Sequence, residues 1–314
     1  MRAFIEIARA FYEEHGAPML ETEFSELLPL IAVGLCGSGS ECFGFDDEVS
    51  RDHDFEPGFC IFLPGEDIVD RKTAFRLERA YAKLPKEYAG LKRGGLAPVG
   101  GARRGVLRTD DFFREKVGAP DGVLSPEDWL TVPEYALAEA VNGGIFYDGP
   151  GTVSAIRRKL SEMPEDARLK KLAGNLLIMA QSGQYNYRRC LAHGETGAAQ
   201  LAAMEFCKSA MHVIFLLNRR YLPYYKWCFR AMRALPLLAP EADTLEFLIS
   251  TDNRAENAEE KYYAIEDLST RVIAVLQDQA LTEAACGDLE KHAYSVNDRI
   301  SDAALRNRHI LAAV

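Results

Sequence analysis

No two of the seven cysteines, Cys36, Cys42, Cys60, Cys190, Cys207, Cys228 and Cys286, stand at the spacing of a zinc-binding or redox-exchange pair, and their number is odd. The pattern argues against a disulfide framework, and the cysteines read as reduced thiols. Long apolar runs are scarce as well. The longest nearly apolar stretch, Leu27 to Cys36, falls well short of the roughly 20 residues that span a bilayer. The chain starts MRAFIEIARAFYEEHG, an amphipathic acidic segment in place of the basic stub and apolar run of a secretory leader. The expected location is the cytoplasm, with no membrane partner. No repeat at a fixed period and no low-complexity tract are present, so neither a solenoid nor a disordered tail is expected. The six histidines show no metal-ligand spacing, and no Ser-His-Asp or Cys-His hydrolase order is supported. His212 reads as a packed helix residue.

Positive charge is in deficit. With 37 Lys and Arg against 47 Asp and Glu, the formal charge is −10, which argues against a protein that coats nucleic acid by general electrostatics. Local basic clusters at Lys92-Arg93, Arg103-Arg104, Arg157-Arg158-Lys159, Arg188-Arg189 and Arg219-Arg220 leave room for a phosphate-bearing substrate.

A length of 314 residues, 48% apolar and 27% charged, is ample for two buried cores. Helical spacing over residues 2–14 and a second helix over 22–30 lead to a buried strand, Ile31 to Cys36, that stops at Gly37 and Gly39. A second strand runs from His53 to Leu63, and charged and apolar positions at helical spacing follow from Asp67 to Leu84. A glycine-rich linker, Gly90 to Gly105, precedes Val106-Leu107 and Phe112-Phe113, read as a third strand or a strand followed by a short helix. Gly143 to Pro150 reads as a further short strand closed by a turn. Thereafter the stripes are helical: Leu169, Leu172, Leu176 and Met179; Leu201, Met204, Cys207, Met211 and Ile214; Ile265, Leu268 and Val272. The expected fold is α+β, an N-terminal mixed sheet with flanking helices over residues 1–150 followed by an all-α helical bundle over residues 151–314.

Chemistry concentrates in residues 36–55. Gly37-Ser38-Gly39-Ser40 follows a strand and opens onto a helix, so its amides and hydroxyls can approach phosphate oxygens without side chains in the way. Asp52-His53-Asp54 opens the next strand, where alternation sets both carboxylates on one face and His53 on the other. Two like charges so placed are costly unless a cation neutralises them, and oxygen-only ligands suit Mg²⁺, which also binds substrate phosphates.

The turn and the carboxylate pair together resemble the polymerase-β-type nucleotidyltransferase superfamily, whose signature is a Gly-Ser turn followed, after a short helix, by an Asp-x-Asp strand. The wider stretch GSGSECFGFDDEVSRDHDF, and later Phe215 to Trp227, resemble an uncharacterised bacterial branch with a helical C-terminal domain. The resemblance implies a nucleotidyltransferase-like N-terminal domain, with Asp52 and Asp54 as catalytic ligands of two Mg²⁺ ions. It also implies that Gly37, Ser38 and Ser40 grip the phosphates of ATP or another nucleoside triphosphate, and that Lys226 neutralises the triphosphate. The implied partner is an unidentified hydroxyl acceptor: a small molecule, a protein or an RNA. A third carboxylate to deprotonate that hydroxyl stays open among Asp110, Asp111 and Asp148. Where better-known members carry Ala-Arg-Gly after the Gly-Ser turn, this chain has Glu41-Cys42, and Arg51 directly precedes Asp52. The oligomeric state is open. An Arg-x4-His spacing at Arg188 and His193 resembles the ribonuclease motif of helical proteins that partner minimal nucleotidyltransferases, but Gly194 marks His193 as a helix end.

Overall fold

Residues 4–46, 56–93 and 104–314 are described by a computed structural model of the chain. Asp52 and Asp54 lie outside the described residues. The chain divides into two compact units, Met1–Leu124 with Tyr135–Glu162, and Ser125–Glu134 with Met163–Val314. It is an α+β protein with a mixed four-stranded sheet in the first unit and helices throughout the second.

In the first unit, α1 (Phe4–Phe11) passes through a wide π-type turn, Tyr12–Gly16, into α2 (Ala17–Glu23). The helix expected over 22–30 is in fact the end of α2 and a 3-10 segment, Ser25–Leu30. Pro29 lies inside that segment and, lacking an amide, cannot extend an α-helical ladder. The chain then enters β1 (Ala32–Leu35), turns through the short α3 (Ser40–Phe43), and re-enters the sheet as β2 (Cys60–Leu63). Asp70 caps α4 (Arg71–Lys83) by accepting the Thr73 amide at 2.7 Å. A two-residue turn, Ala89-Gly90, joins β3 (Glu87–Tyr88) to β4 (Leu91–Lys92). β5 (Gly105–Arg108) runs directly into α5 (Thr109–Val117), so Phe112-Phe113 is helical. The chain passes through α6 (Pro126–Thr131), which belongs to the second unit, and returns with α7 (Glu134–Val141); β6 (Gly144–Asp148) then closes the sheet and α8 (Thr152–Ser161) ends the first unit.

The strand order is β5-β2-β1-β6, with β1 antiparallel to both neighbours and β5 parallel to β2. Every residue of β1 and β2 is buried, which is why both read as unbroken apolar runs and not as alternating ones. Phe11, Leu20, Val33, Phe59, Ile61, Leu63 and Leu77 fill the core against them. The Tyr81 hydroxyl ties α4 to the entry of β2, donating to the Phe59 carbonyl at 2.9 Å and accepting the Phe59 amide at 3.1 Å. Burial raises its phenol above the usual value, so it stays a donor. Arg93 completes the far end of α4. Its guanidinium lies 4.7 Å over the Tyr81 ring and donates to the carbonyls of Tyr81 and Leu84 at 3.3 and 3.1 Å, at the carbonyl end of the helix.

The second unit is organised on α9 (Glu165–Met179), which is buried on every side from Ala167 to Leu177. Three cationic residues within four positions on it, Arg168, Lys170 and Lys171, donate to carbonyls of other segments. Arg168 donates to the Leu216 carbonyl of α11 (Thr196–Leu217) at 3.1 Å, and Lys171 to the Leu130 carbonyl of α6 at 3.0 Å. Lys170 donates to the carbonyl of Arg308 at 2.7 Å and to Asn297 Oδ1 at 2.9 Å. Burial lowers both lysine pKa values, and the carbonyl dipoles at helix ends favour the charge that remains. A π-type stretch, Ala180–Tyr187, leads through α10 (Arg188–Ala192) to α11, and α12 (Cys228–Met232), α13 (Glu241–Ser250), α14 (Ala255–Asp278), α15 (Leu289–Asp298) and α16 (Ala303–Arg306) complete the unit.

The stripe expected on α11 is partly displaced. Leu201 is 73% exposed and Met204 37%, while Ala199, Ala203, Phe206, Cys207, Ala210, Val213 and Ile214 face the core. Small alanines let α11 approach α9 closely, and a count of large side chains misses them. By length and composition α11 alone among the described helices is able to cross a membrane, but 61% of its most apolar window is buried, which is the behaviour of a core helix.

Two expectations test this architecture. Gly143 has φ 65°, and an added Cβ would sit 2.0 Å from the Leu35 carbonyl oxygen, so Gly143→Ala costs about 2 kcal/mol or more, read as a lowered urea midpoint. In the second unit, Glu165 receives hydrogen bonds from Arg168 and Arg219, and the Arg168 bond foremost holds its carboxyl down at about 2. A depressed acid stabilises above its ordinary value of 4.5 and loses that effect as pH falls toward 2. Glu165→Gln therefore lowers the melting temperature at pH 7, and its deficit relative to the unmodified chain shrinks between pH 4.5 and pH 3.

Candidate functional site

The turn that leaves β1 is held from three directions. Gly37 and Gly39 have φ of 111° and 135°, which side-chain-bearing residues rarely adopt, and this frees the chain to double back into α3. Asn142, at the end of α7, clamps Gly37 with both halves of its amide: the Gly37 amide donates to Asn142 Oδ1 at 2.9 Å, and Asn142 Nδ2 donates to the Gly37 carbonyl at 2.8 Å. Beneath Gly39 lies the Glu41 carboxylate, 5% exposed, so close that a Cβ on Gly39 would meet Oε2 at 2.5 Å. Glu41 pairs with Arg104 at 3.1 Å. Arg104 also donates to the Glu56 carbonyl and lies 5.1 Å over the Phe4 ring, so Glu41 is a buried brace for the turn.

On the other side of the turn, Ser38 meets α5 and α7. Its hydroxyl donates to Glu139 Oε2 at 2.7 Å, and Lys116 Nζ stands 2.8 Å from the same oxygen and 3.0 Å from Ser38 Oγ. The Lys116 and Glu139 side chains are only 14% and 13% exposed. Arg157 of α8 donates to the carbonyls of Val141 and Asn142 at 2.8 and 2.7 Å, and its Nη1 is buried with no hydrogen-bond partner among the described residues. Burial raises the Cys36 thiol, and Arg157 and Lys116 oppose that rise, which places both cations within electrostatic reach of the strand end. Burial likewise raises Cys42 and Cys60, so the thiols behind the turn stay protonated and unreactive.

The sequence-predicted residues Gly37, Ser38 and Ser40 thus meet in one turn, with Ser40 buried at the start of α3. Lys226 is exposed in a turn of the second unit just before α12. Asp110 and Asp111 occupy the first turn of α5, where Asp111 pairs with Arg114 at 2.6 Å, and neither is bonded to Ser38. Asp148 is paired in register with Ala32, three strand positions before Leu35 and thus about 10 Å from the end where the turn begins. There its Oδ2 accepts the Ser154 amide at 2.7 Å, a helix-start role. Among the described residues no group of three His, Cys, Asp or Glu is placed to hold a metal ion, and Asp52 and Asp54 lie outside them. His212 is not simply packed: its Nδ1 lies 3.0 Å from Oε1 of the buried Glu134, whose Oε2 accepts the Leu222 amide at 3.2 Å. His193 caps α10 ahead of Gly194 at φ 75°, and Arg188 lies over the Tyr262 ring at 4.8 Å.

Lys116, Glu139 and Asn142 were out of reach of sequence reading, because they lie 78, 101 and 105 residues from their partners in the turn. The one local hint is Asn142-Gly143-Gly144, a polar helix end followed by a break.

This arrangement defines the class as an α+β chain with a glycine-serine turn at the exit of a central strand. Residues 129–228 match a family model described as Domain of unknown function (DUF4037). Among solved structures the chain is similar to a nucleotidyltransferase-like protein from Exiguobacterium sibiricum 255-15, at 11% identity and a TM-score of 0.38, over 91% of this chain and 80% of that one. No curated protein matches the chain.

The clamp is directly testable. Asn142→Ala leaves the buried Gly37 amide and carbonyl without partners and costs about 1–3 kcal/mol. Asn142→Asp restores an acceptor but sets a carboxylate against the Gly37 carbonyl, so its chemical-denaturation midpoint is expected no higher than that of the alanine variant.

Proposed function

We propose that the chain is a cytoplasmic Mg²⁺-dependent nucleotidyltransferase that moves a nucleoside monophosphate, AMP from ATP, onto a hydroxyl of an acceptor. The observation that supports this most is the meeting of the Ser38 hydroxyl and the Lys116 ammonium at the turn leaving β1. Its neighbour in the sheet is β2, the strand that Asp52-His53-Asp54 precedes in sequence. In this reading Gly37, Ser38 and Ser40 contact phosphate oxygens, and Lys226 contributes charge. Asp52 and Asp54 hold Mg²⁺, which when bound screens the charge of the triphosphate. The acceptor oxygen forms a bond to the α-phosphorus, the bond to pyrophosphate breaks in line, and the hydroxyl proton passes to a base.

The pairing of Asp148 with Ala32, away from the strand end where the turn begins, weighs against it as that base. Since Asp110 and Asp111 do not bond to Ser38 either, a second reading has its own support: a protein that binds the nucleotide to sense it, without turnover. Calorimetry separates the two. Tight Mg-ATP binding without pyrophosphate release across a broad panel of hydroxyl acceptors favours sensing; binding with release favours transfer. For the leading reading, Asp52→Asn is expected to abolish transfer of label from α-labelled ATP while the melting temperature is unchanged. Label transfer at the unmodified rate by that variant defeats the assignment.

A further inference from the structure

Ser38 and Lys116 form a receptor for one oxyanion, and the receptor is already filled. A hydroxyl at 2.7 Å and an ammonium at 2.8 Å converge on the same oxygen, Glu139 Oε2, in the manner in which donors converge on a phosphoryl oxygen. Nearly the whole pair is shielded from water, so the charge-assisted bonds are strong, yet each side chain keeps a small exposed fraction, 14% for Lys116 and 13% for Glu139. Glu115, 78% exposed and 3.8 Å from Lys116, is too hydrated to compete. The turn's first amide cannot serve an incoming anion, because Asn142 holds it. Arg157 of α8 adds a second cation at the end of α7, where it donates to the Val141 and Asn142 carbonyls at 2.8 and 2.7 Å.

We infer that Glu139 is a built-in stand-in for a phosphoryl group: its carboxylate occupies the seat between Ser38 and Lys116, and a polyphosphate ligand enters by displacing it. Lys116 passes from the carboxylate to the phosphate, and Ser38 turns its hydroxyl from one acceptor to the other. No covalent bond changes. Glu139 is thus a negative regulator of affinity at the turn, and Lys116 is the cation that the ligand meets there. The inference rests on the phosphate-binding reading of the turn given above. It adds a sign that a plain structural ion pair between α5 and α7 does not have: loss of Glu139 raises affinity, whereas loss of a merely structural partner loosens the site.

Isothermal titration of the full chain with inorganic tripolyphosphate, and separately with Mg-ATP, tests this. Glu139→Gln keeps the size and hydrogen-bonding capacity of the side chain and removes its charge, and is expected to bind both probes about tenfold more tightly. Lys116→Met is expected to bind them about tenfold more weakly. Because Lys116→Met strands a shielded carboxylate, which by itself destabilises the fold, the double variant Lys116→Met/Glu139→Gln, which removes both charges together, serves as the folded control and is expected to bind weakly too. Unchanged or weaker tripolyphosphate binding by Glu139→Gln, at an unchanged melting temperature, overturns the inference even if the unmodified chain transfers label from ATP. Tighter tripolyphosphate binding by Glu139→Gln, together with full label transfer by Asp52→Asn, upholds the inference and sinks the proposed transferase.

Discussion

The side-chain amide of Asn142 is the contact on which the rest of the site depends. A turn with two successive glycines at positive φ has little stiffness of its own, since glycine samples those conformations and many others. Two hydrogen bonds from one planar group, to the amide and the carbonyl of Gly37, fix both the position and the direction of the chain where it leaves β1. The same helix that ends in Asn142 carries Glu139 one turn earlier, so the clamp also sets the height at which the carboxylate meets Ser38. Gly143 then allows α7 to end against the Leu35 carbonyl with no side chain between them. Sheet, turn and helix are thereby held in one register.

Sheet strands were legible in the sequence to the extent that burial makes them so. β1 and β2 each appear as apolar runs bounded by glycine or proline, because a strand covered on both faces has no polar alternation to blur it, and the half-buried β6 is marked by the glycines at its two ends. The strand order was not legible. Nothing in Gly105–Arg108 tells that it lies parallel to β2 and not beside β1, since that choice is made by α4 crossing between them. In the helical unit the long stripes of α9 and α14 were clear, whereas α11 hides its contact face in alanines and the short helices α12 and α16 carry too few residues for any period to emerge.

For the site, the division falls between what is local and what is assembled. Gly37, Ser38, Gly39 and Ser40 are neighbours in sequence and remain neighbours in space. Lys116, Glu139, Asn142 and Arg157 reach the turn from three different helices, and no spacing rule connects them to it. Glu41, where the resembled sequences carry Ala-Arg-Gly, forms a buried ion pair with Arg104 that supports the turn from behind. The distance of Asp148 from the turn was not legible either, because in an antiparallel pair the end of one strand lies beside the start of the other.

The chain carries enough shielded cations that the distinction between a structural and a ligand-binding one has to be drawn from their partners. Lys170 is fully buried, and its ammonium donates to two backbone carbonyls and the Asn297 side-chain carbonyl, three neutral acceptors that match its three protons. Backbone carbonyls at helix ends cannot swing away without unwinding the helices that carry them, so no ligand can take their place. Lys261 is likewise enclosed, held by Gln200 Oε1 at 2.6 Å and the Thr251 carbonyl at 2.9 Å. Lys116 differs in each respect. Its partners are a hydroxyl and a carboxylate, both on rotatable side chains, and its ammonium is not sealed from solvent. An anion that brings its own charge leaves no unpaired cation behind, and the several kcal/mol that stripping a buried charge of its partner costs is avoided when the rotatable Glu139 side chain turns its carboxylate to water. Among the described shielded lysines, Lys116 is the one whose partners all stand on rotatable side chains.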